Sequence, residues 1–452
     1  MRKIKCTVSI LLAAIFLSAF EIAAAAGADS PLDVDLEKLE SKIETRPSIP
    51  ELVVYAYEHN PSIQAARDGW RATVEQYRVT TGYPDPQLIA TYYPDPIETR
   101  FGPQDWNIIL SQMIPFPGKL SKAGAVVETE AEIARLNLDK TIRDIMVGLI
   151  ETYYELYYIN KAMEIAETNQ RILNELTKIG ETAYGQDRTA FLDVVKAQSQ
   201  TAQLQYDILL LRDLAETEKT RMNGFLNRPP QAPLGAVQAV PFDTLVYSLD
   251  ELFRLAEMYR EEIQMAELQI EKAENQVDLA QFENLPQFRV GLFYGVIGDP
   301  DVPNPPPDAG DDAIGVQFGF NIPLWLGKNR GRVRKARAVA DQNRAAKTAT
   351  VNDAYTRIRN LYFRLENARR LITLYRDELL PQAMTSFETA ETWFREGQGS
   401  FSDFLEIQSV VYNFQLALAR ARADHGKLLA GLERLVGKTV TVREEGVMEE
   451  EE

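Results

Sequence analysis

Two ten-residue stretches decide the fold of this chain, because both alternate between apolar side chains and small or polar ones. They are Gln-Phe-Arg-Val-Gly-Leu-Phe-Tyr-Gly-Val at 287–296 and Ala-Ile-Gly-Val-Gln-Phe-Gly-Phe-Asn-Ile at 313–322. Since successive side chains of a strand point to opposite faces, this spacing predicts two strands that share one wholly apolar face. The residues expected on that face are Phe288, Val290, Leu292, Tyr294, Ile314, Val316, Phe318 and Phe320.

The length of these strands fits a membrane, because a tilted strand of about ten residues crosses the hydrocarbon layer. A soluble hairpin with one buried face shows the same alternation, so that alternative stays open at this point. Two weaker strands, rich in aromatic residues, are predicted at about 87–93 and 106–114. Four strands cannot close a barrel, and open sheet edges do not occur in lipid. If the strands lie in a membrane, the chain must oligomerise, and three chains would supply about 12 strands.

The sequence repeats itself at an offset of about 200 residues. The matching positions are Ala56, Ile63, Gln64 and Ala66 with Ala256, Ile263, Gln264 and Ala266, and Ile114-Pro115 with Ile322-Pro323. This repetition predicts two structural repeats, at 51–228 and 249–437, joined by a proline-containing linker at 229–247. An extension at 27–50 and an acidic tail at 438–452 flank the two repeats.

Long helical segments flank the strands in each repeat. We expect helices at 51–82, 119–182 and 188–227 in the first repeat, and at 248–284, 330–395 and 401–437 in the second, with a kink at Pro381. An unbroken helix over 119–182 would be ~95 Å long, which is typical of coiled coils rather than globules. The expected fold class is mainly α with a small β part, built from a duplicated helix–strand–strand–helix–helix unit.

Residues 1–26 have the pattern of a secretory signal. Arg2, Lys3 and Lys5 precede an apolar segment at 8–20, and small residues at 23–28 offer a cleavage site after Ala26. We therefore expect an exported mature chain that has lost Cys6. No later apolar run is long enough to predict a transmembrane helix.

The composition argues against several classes of function. The chain has 66 acidic and 49 basic residues and a formal charge of -17, which opposes nucleic-acid binding. One cysteine and two histidines are too few for zinc sites, disulfide frameworks or cysteine–histidine catalysis. We expect no cofactor, no bound metal, no catalytic residue and no nucleic-acid partner.

The duplicated layout, with an Ile-Pro pair and then Gly-Lys after the second strand of each repeat, resembles the TolC-type outer membrane factor family. The resemblance implies a homotrimer with a 12-stranded β-barrel, four strands per chain, in the outer membrane of a Gram-negative bacterium. It also implies a long α-helical coiled-coil tunnel in the periplasm. Such proteins are exit ducts of tripartite efflux pumps, most often of the RND type, or of type I secretion systems. Their partners are outer membrane lipid, a periplasmic adaptor (membrane fusion protein) and an inner-membrane transporter.

The resemblance also assigns the tips of the helical hairpins, which close the tunnel and contact the adaptor. These residues are Gly185 and Gln186 in the first repeat, and Gly397, Gln398 and Gly399 in the second. Family members can carry a basic residue that ties the closed state, but this chain has Gly399 there. The resemblance therefore does not indicate what holds the closed state of this chain.

Three acids, Asp403, Glu406 and Asp193, match the family's periplasmic constriction. Asp403 and Glu406 are three residues apart, so they share one face of a helix. Three copies around an axis would attract cations and raise one another's pKa. Two solvated acids on a helix surface are the simpler interpretation, and it stays open here.

A basic run begins the long helix of the second repeat. Its members are Lys328, Arg330, Arg332, Arg334, Lys335 and Arg337. Cations at a helix N-terminus oppose the helix dipole, so another charge should compensate them. Phospholipid headgroups and the acids of neighbouring helices are equally good candidates.

Two other classes of protein are alternatives to a channel. A soluble periplasmic coiled-coil scaffold or adaptor would need no strands with a uniform apolar face. A secreted enzyme acting through paired carboxylates, such as a glycosidase, would need a compact α/β pattern, which the sequence lacks. The cargo of a channel also stays open: drugs, metal ions, other small molecules and polypeptides all fit.

Overall fold

The computed structural model describes residues 36–186, 189–238, 243–396 and 398–443. The predicted signal at 1–26, residues 27–35 of the extension, Gly397 and the tail beyond 443 lie outside these ranges. The first part of the chain forms α1 (Leu36–Thr45), α2 (Ile49–His59), α3 (Pro61–Thr81), β1 (Gln87–Thr99), β2 (Gly102–Ile114), α4 (Lys119–Tyr184) and α5 (Phe191–Phe225).

The second part forms β3 (Asp243–Leu245), α6 (Leu249–Tyr259), α7 (Glu261–Phe282), β4 (Phe288–Ile297), β5 (Ala313–Phe320) and α8 (Leu326–Thr373). A π-helical turn (Leu374–Leu379), α9 (Leu380–Arg395), α10 (Phe401–Val436) and β6 (Thr441–Arg443) follow. The predicted fold class, mainly α with a small β part, is confirmed.

Matching caps begin both repeats. The backbone N–H of Ser48 donates to the Glu51 carboxylate over 3.0 Å, and that of Ser248 donates to Glu251 over 2.8 Å. Each pair is a capping box, which satisfies backbone donors that the first helical turn leaves free. The two repeats therefore share local physical structure as well as sequence.

The single helices predicted at 51–82 and 248–284 are wrong, because the first is broken after His59 and the second after Tyr259. Asn60 is extended, because the proline that follows disfavours the helical conformation. Its Oδ1 then accepts from the backbone N–H of Ser62 over 2.9 Å and caps α3. Arg260 is extended at the equivalent position without a proline, and its Nε donates to Glu262 over 3.1 Å.

A π-helical turn (Leu374–Leu379) lies two residues before Pro381, at the place where the sequence predicts a kink. Proline has no N–H and its ring displaces the carbonyl one turn earlier. The wider π turn accommodates both effects without ending the helix. In it, the N–H of Leu380 donates to the carbonyl of Tyr375, five residues earlier.

The chain folds as two compact units. The first contains residues up to 66, 138–264 and from 351 onward, and the second contains 67–137 and 265–350. In the first unit Arg143 Nε donates to Glu261 Oε1 over 2.8 Å, and both side chains are buried. Burial raises the pKa of Glu261 although the charge of Arg143 opposes it. The short strands β3 and β6 pair in the same unit, which joins the linker to the segment after α10.

The second unit contains an antiparallel sheet of four strands in the order β1-β2-β4-β5. Residues 94–105, which lie between the two strands predicted at 87–93 and 106–114, continue β1 and β2 into a hairpin in which Thr99 pairs with Gly102. Pro94 and Pro96 cannot donate to the ladder, so the register shifts between Tyr92 and Ile97 and then recovers. Within the described ranges, no helix has both the length and the apolar content that crossing a membrane requires.

A buried histidine makes the stability of the first unit depend on pH. His425 in α10 is 4% exposed, and burial, helped by the charge of Arg369, lowers its pKa from 6.5 to about 4. The unfolded chain binds a proton below pH ~6.5 and the folded chain does not until pH ~4, so stability falls as the pH drops through this window. The loss should reach about 2 kcal/mol at pH 5.

Unfolding of wild type and His425→Gln at pH 7 and pH 5 checks this, and the variant should show a smaller drop. His59→Gln is the matched control, because it removes the other histidine of the chain. Its drop should equal that of wild type. Equal drops for wild type and His425→Gln would contradict the prediction.

Candidate functional site

Cross-strand pairing brings the eight predicted apolar residues onto one face of the sheet. Phe288 pairs with Phe320, Val290 with Phe318, Leu292 with Val316 and Tyr294 with Ile314. Directly paired residues of antiparallel strands share a face. The same face continues across β2 and β1, where Leu110 pairs with both Leu292 and Leu88. The predicted apolar surface thus spans all four strands.

The other face of the sheet is mixed, with one small and polar row beside a row that contains Ile89, Ile109 and Phe293. The polar row contains Gln87, Ser111, Gly291 and Gln317. On the apolar face, by contrast, Ile314 and Phe318 are each 79% exposed. An apolar patch of this extent marks a surface that another molecule or a lipid phase covers.

The sheet has two open edges among the described residues. β1 pairs only with β2, and β5 pairs only with β4. An exposed edge carries a row of unpaired N–H and C=O groups, which is a template for pairing with another chain. The segment that leaves β5 is also apolar and exposed, with Ile322, Leu324, Trp325 and Leu326 between 62% and 75% exposed.

The tip of the second hairpin lies between α9 and α10 in the first unit. The N–H groups of Gln398 and Gly399 donate to the Trp393 carbonyl over 2.8 and 3.1 Å. The hydroxyl of Ser400 accepts from the N–H of Asp403 over 3.0 Å and caps α10. Asp403 and Glu406 are both exposed on the first turns of this helix. Neither carboxylate has an ion-pair partner among the described residues.

The tip of the first hairpin differs in its charges. Asp193 is only 17% exposed, and Lys196 Nζ lies 3.7 Å from it. Lys196 also donates to the hydroxyl of Ser402 over 3.3 Å, so it links α5 to α10. Sequence reasoning missed Lys196, although alignment of 191–198 with 401–408 places it opposite Glu406. The two tips therefore carry opposite charges at this position of the repeat.

Aromatic pairs close both tips, but only one pair is buried. Tyr184 and Phe191 have ring centroids 5.7 Å apart, and Phe394 and Phe401 have theirs 5.3 Å apart. Phe401 is 2% exposed, whereas Phe191 is 62% exposed. Phe401 packs against Gly180, where an added Cβ would lie 2.8 Å from the ring. This glycine permits the two hairpins to approach each other closely.

Gly185 and Gln186 are exposed at the first tip, where their N–H groups donate to the carbonyls of Glu181 and Ala183 over 3.1 Å. A shallow cavity of about 290 Å³ lies between the tips, with Gln186, Lys178, Thr182, Phe394 and Arg395 in its lining.

The described residues contain no group of three metal-ligating side chains placed to hold an ion.

Residues 252–438 match the family model of the outer membrane efflux proteins. The match corresponds to the second predicted repeat, at 249–437. The predicted resemblance to TolC-type factors is confirmed. Among curated proteins, none matches the chain significantly.

Crystal structures of outer membrane proteins share the fold of this chain over most of its length. VceC from Vibrio cholerae is 19% identical, with a TM-score of 0.71 over 87% of this chain and 96% of that chain. The CmeC outer membrane channel from Campylobacter jejuni is 12% identical, with a TM-score of 0.69 over 87% and 86% of the two chains. The MtrE outer membrane channel from Neisseria gonorrhoeae, in its open state, is 16% identical, with a TM-score of 0.68 over 87% and 90%.

If the apolar face of the sheet contacts lipid, a charge on that face should destabilise the protein in the membrane. We expect Val316→Lys to cost about 2–4 kcal/mol if residue 316 lies near the bilayer midplane. The amount of protein in the outer membrane fraction should fall accordingly. Gln317→Lys is the matched control, since it adds the same charge to the next residue, which lies on the opposite face. Equal effects of the two substitutions would contradict a lipid-facing surface.

Proposed function

We propose that this chain is an outer membrane efflux protein, which forms a homotrimeric channel and is the exit duct of a tripartite pump. The observation that carries the proposal is the four-stranded sheet with one apolar, exposed face and two open edges. Because open edges are not tolerated in lipid, β5 of each protomer pairs with β1 of the next. Three protomers then close a barrel of about 12 strands with the apolar face toward lipid and the opposite face toward the pore.

The helical tips are the end of the channel that meets its partners in the periplasm. An adaptor docks on the surface around Gly185, Gln186, Gln398 and Gly399, and an inner-membrane transporter supplies the energy. The exposed Phe191 at the first tip supports this docking, because aromatic side chains at interfaces are common anchors. The pump is of the RND type or belongs to a type I secretion system.

The periplasmic constriction is formed by the tip acids. Asp403 and Glu406, exposed and without ion pairs in the described residues, present three copies of each carboxylate to the pore and favour cations. Asp193 contributes less, because Lys196 compensates its charge. The contact of Lys196 with Ser402 holds the two tips of one protomer together in the closed state. It replaces the basic residue that the chain lacks at Gly399.

Single-channel recording in planar bilayers tests the duct and its acidic constriction together. Wild type should give discrete cation-selective channels, and Asp403→Ala with Glu406→Ala should lower the cation selectivity severalfold. Asp213→Ala with Glu216→Ala is the matched control, because these acids are also exposed and three residues apart. Its selectivity should equal that of wild type. Inserted trimers without conductance would refute the duct.

Removing the link between the tips should favour the open state. Lys196→Met deletes the contacts with Ser402 and Asp193, and each exposed contact contributes about 0.2–1 kcal/mol. The open probability in the same bilayers should therefore rise a fewfold, while Lys196→Arg should behave like wild type. An unchanged open probability in Lys196→Met would assign closure to other contacts.

A further inference from the structure

We propose that the first turns of α8 bind the headgroups of anionic phospholipids in the inner leaflet of the outer membrane, through Arg330, Arg334 and Arg337. The ligand is the phosphodiester of a glycerophospholipid such as phosphatidylglycerol. The proposal rests on the membrane location of the sheet given under the proposed function. All the residues that it uses belong to the second unit.

The three arginines form one stripe on the helix. Their spacing of four and three residues places them on the same face of α8. All three are exposed, and none makes an ion pair with another described residue. Arg332 differs, because its guanidinium lies 3.2 Å from Glu283 and donates to Asn284 over 2.9 Å. The fold thus neutralises the cation that faces α7 and leaves the stripe uncompensated.

The stripe directly follows the exposed apolar segment that ends in Trp325 and Leu326. Arg330 is four residues beyond Leu326, or ~6 Å along the helix axis, and Arg337 is ~16 Å beyond it. The headgroup layer occupies roughly 5–8 Å on each side of the hydrocarbon. Arginine side chains can extend several ångströms back toward it, so Arg330 and Arg334 reach phosphate and Arg337 lies at the outer limit of this reach.

The position of the stripe requires a compensating charge from outside the unit. Cations near a helix N-terminus are unfavourable, and the first turn of α8 contains no acidic residue. The equivalent helix of the first repeat, α4, begins without such a run, and its Lys122 lies 2.6 Å from Asp278. Folding of a repeat therefore does not depend on such a stripe. Phosphodiesters are a suitable source of negative charge, because guanidinium groups bind phosphate oxygens in pairs.

Tryptophan quenching in reconstituted vesicles tests the proposal. Trp325 is kept as the only tryptophan by Trp70→Phe, Trp106→Phe and Trp393→Phe, and the mature protein is placed in phosphatidylcholine vesicles with brominated phosphatidylglycerol or brominated phosphatidylcholine. We expect brominated phosphatidylglycerol to accumulate at Trp325. This preference should fall by at least about tenfold in the triple variant Arg330→Gln, Arg334→Gln and Arg337→Gln, since each cation near a membrane surface contributes on the order of fivefold.

Two control variants distinguish an effect of the stripe on lipid preference from an effect of net charge or of misfolding. Arg171→Gln, Arg212→Gln and Arg221→Gln remove the same charge from helices of the first unit and should leave the preference unchanged. Replacing the three stripe residues by lysine should retain most of the preference, because the positive charge remains. Equal loss in the charge-matched control would overturn the proposal.

Four other results of the quenching experiment would each lead to a different conclusion. Quenching by both lipids without a preference in wild type would refute the headgroup site and leave the membrane barrel intact. Quenching by neither lipid would refute the membrane location and therefore both proposals. Loss of the preference in inorganic phosphate, but not in chloride of equal ionic strength, would identify a site for free phosphate instead. A triple variant that loses its trimer in detergent but keeps the lipid preference would assign the stripe to contact with a second copy.

Discussion

Unpaired backbone groups at the two edges of the sheet are the constraint on which this structure depends. A strand that is apolar on one face gains free energy from contact with lipid, but its edge N–H and C=O groups lose their hydrogen bonds there. One chain supplies four strands and leaves β1 and β5 half-paired among its described residues. Barrel closure by other copies satisfies both edges at once. The oligomeric state that we propose is therefore a consequence of hydrogen bonding, and the apolar face only decides where the barrel lies.

The two repeats form similar helical hairpins, but their tips differ in the burial of an aromatic ring and in charge. Phe401 is buried against Gly180, while its counterpart Phe191 is exposed. A buried aromatic ring stabilises the packing of the hairpins, and an exposed one is available to a partner. The exchange of Glu406 for Lys196 at equivalent positions adds a cation to the first tip. In the channel that we propose, the buried ring supports the packing of the hairpins and the exposed ring is available to a partner.

The charged side chains of the long helices also divide into those that the fold pairs internally and those that it leaves exposed. Arg143 and Glu261 are buried as a pair, which avoids the cost of an isolated buried charge. Among the described residues, the cations at the start of α8 have no ion-pair partner, with the exception of Arg332. Charges that the fold pairs internally contribute to its stability, and charges that it leaves free remain available to lipid, ions or other chains.

The sequence by itself determined the strands, the repeats and the long helices, because each depends on side-chain period over many residues. It predicted the apolar set from Phe288 to Phe320, which the strand register then brought onto one face. The extended residue Arg260, the hairpin through 94–105 and the contact of Lys196 with Ser402 were decided only by the tertiary structure. Arg260 lies against Gly437 and Lys196 against Ser402, both of them distant in sequence, and the hairpin forms a ladder that outweighs local proline. Periodicity reports which face of an element is apolar, whereas a single contact depends on where another element is packed.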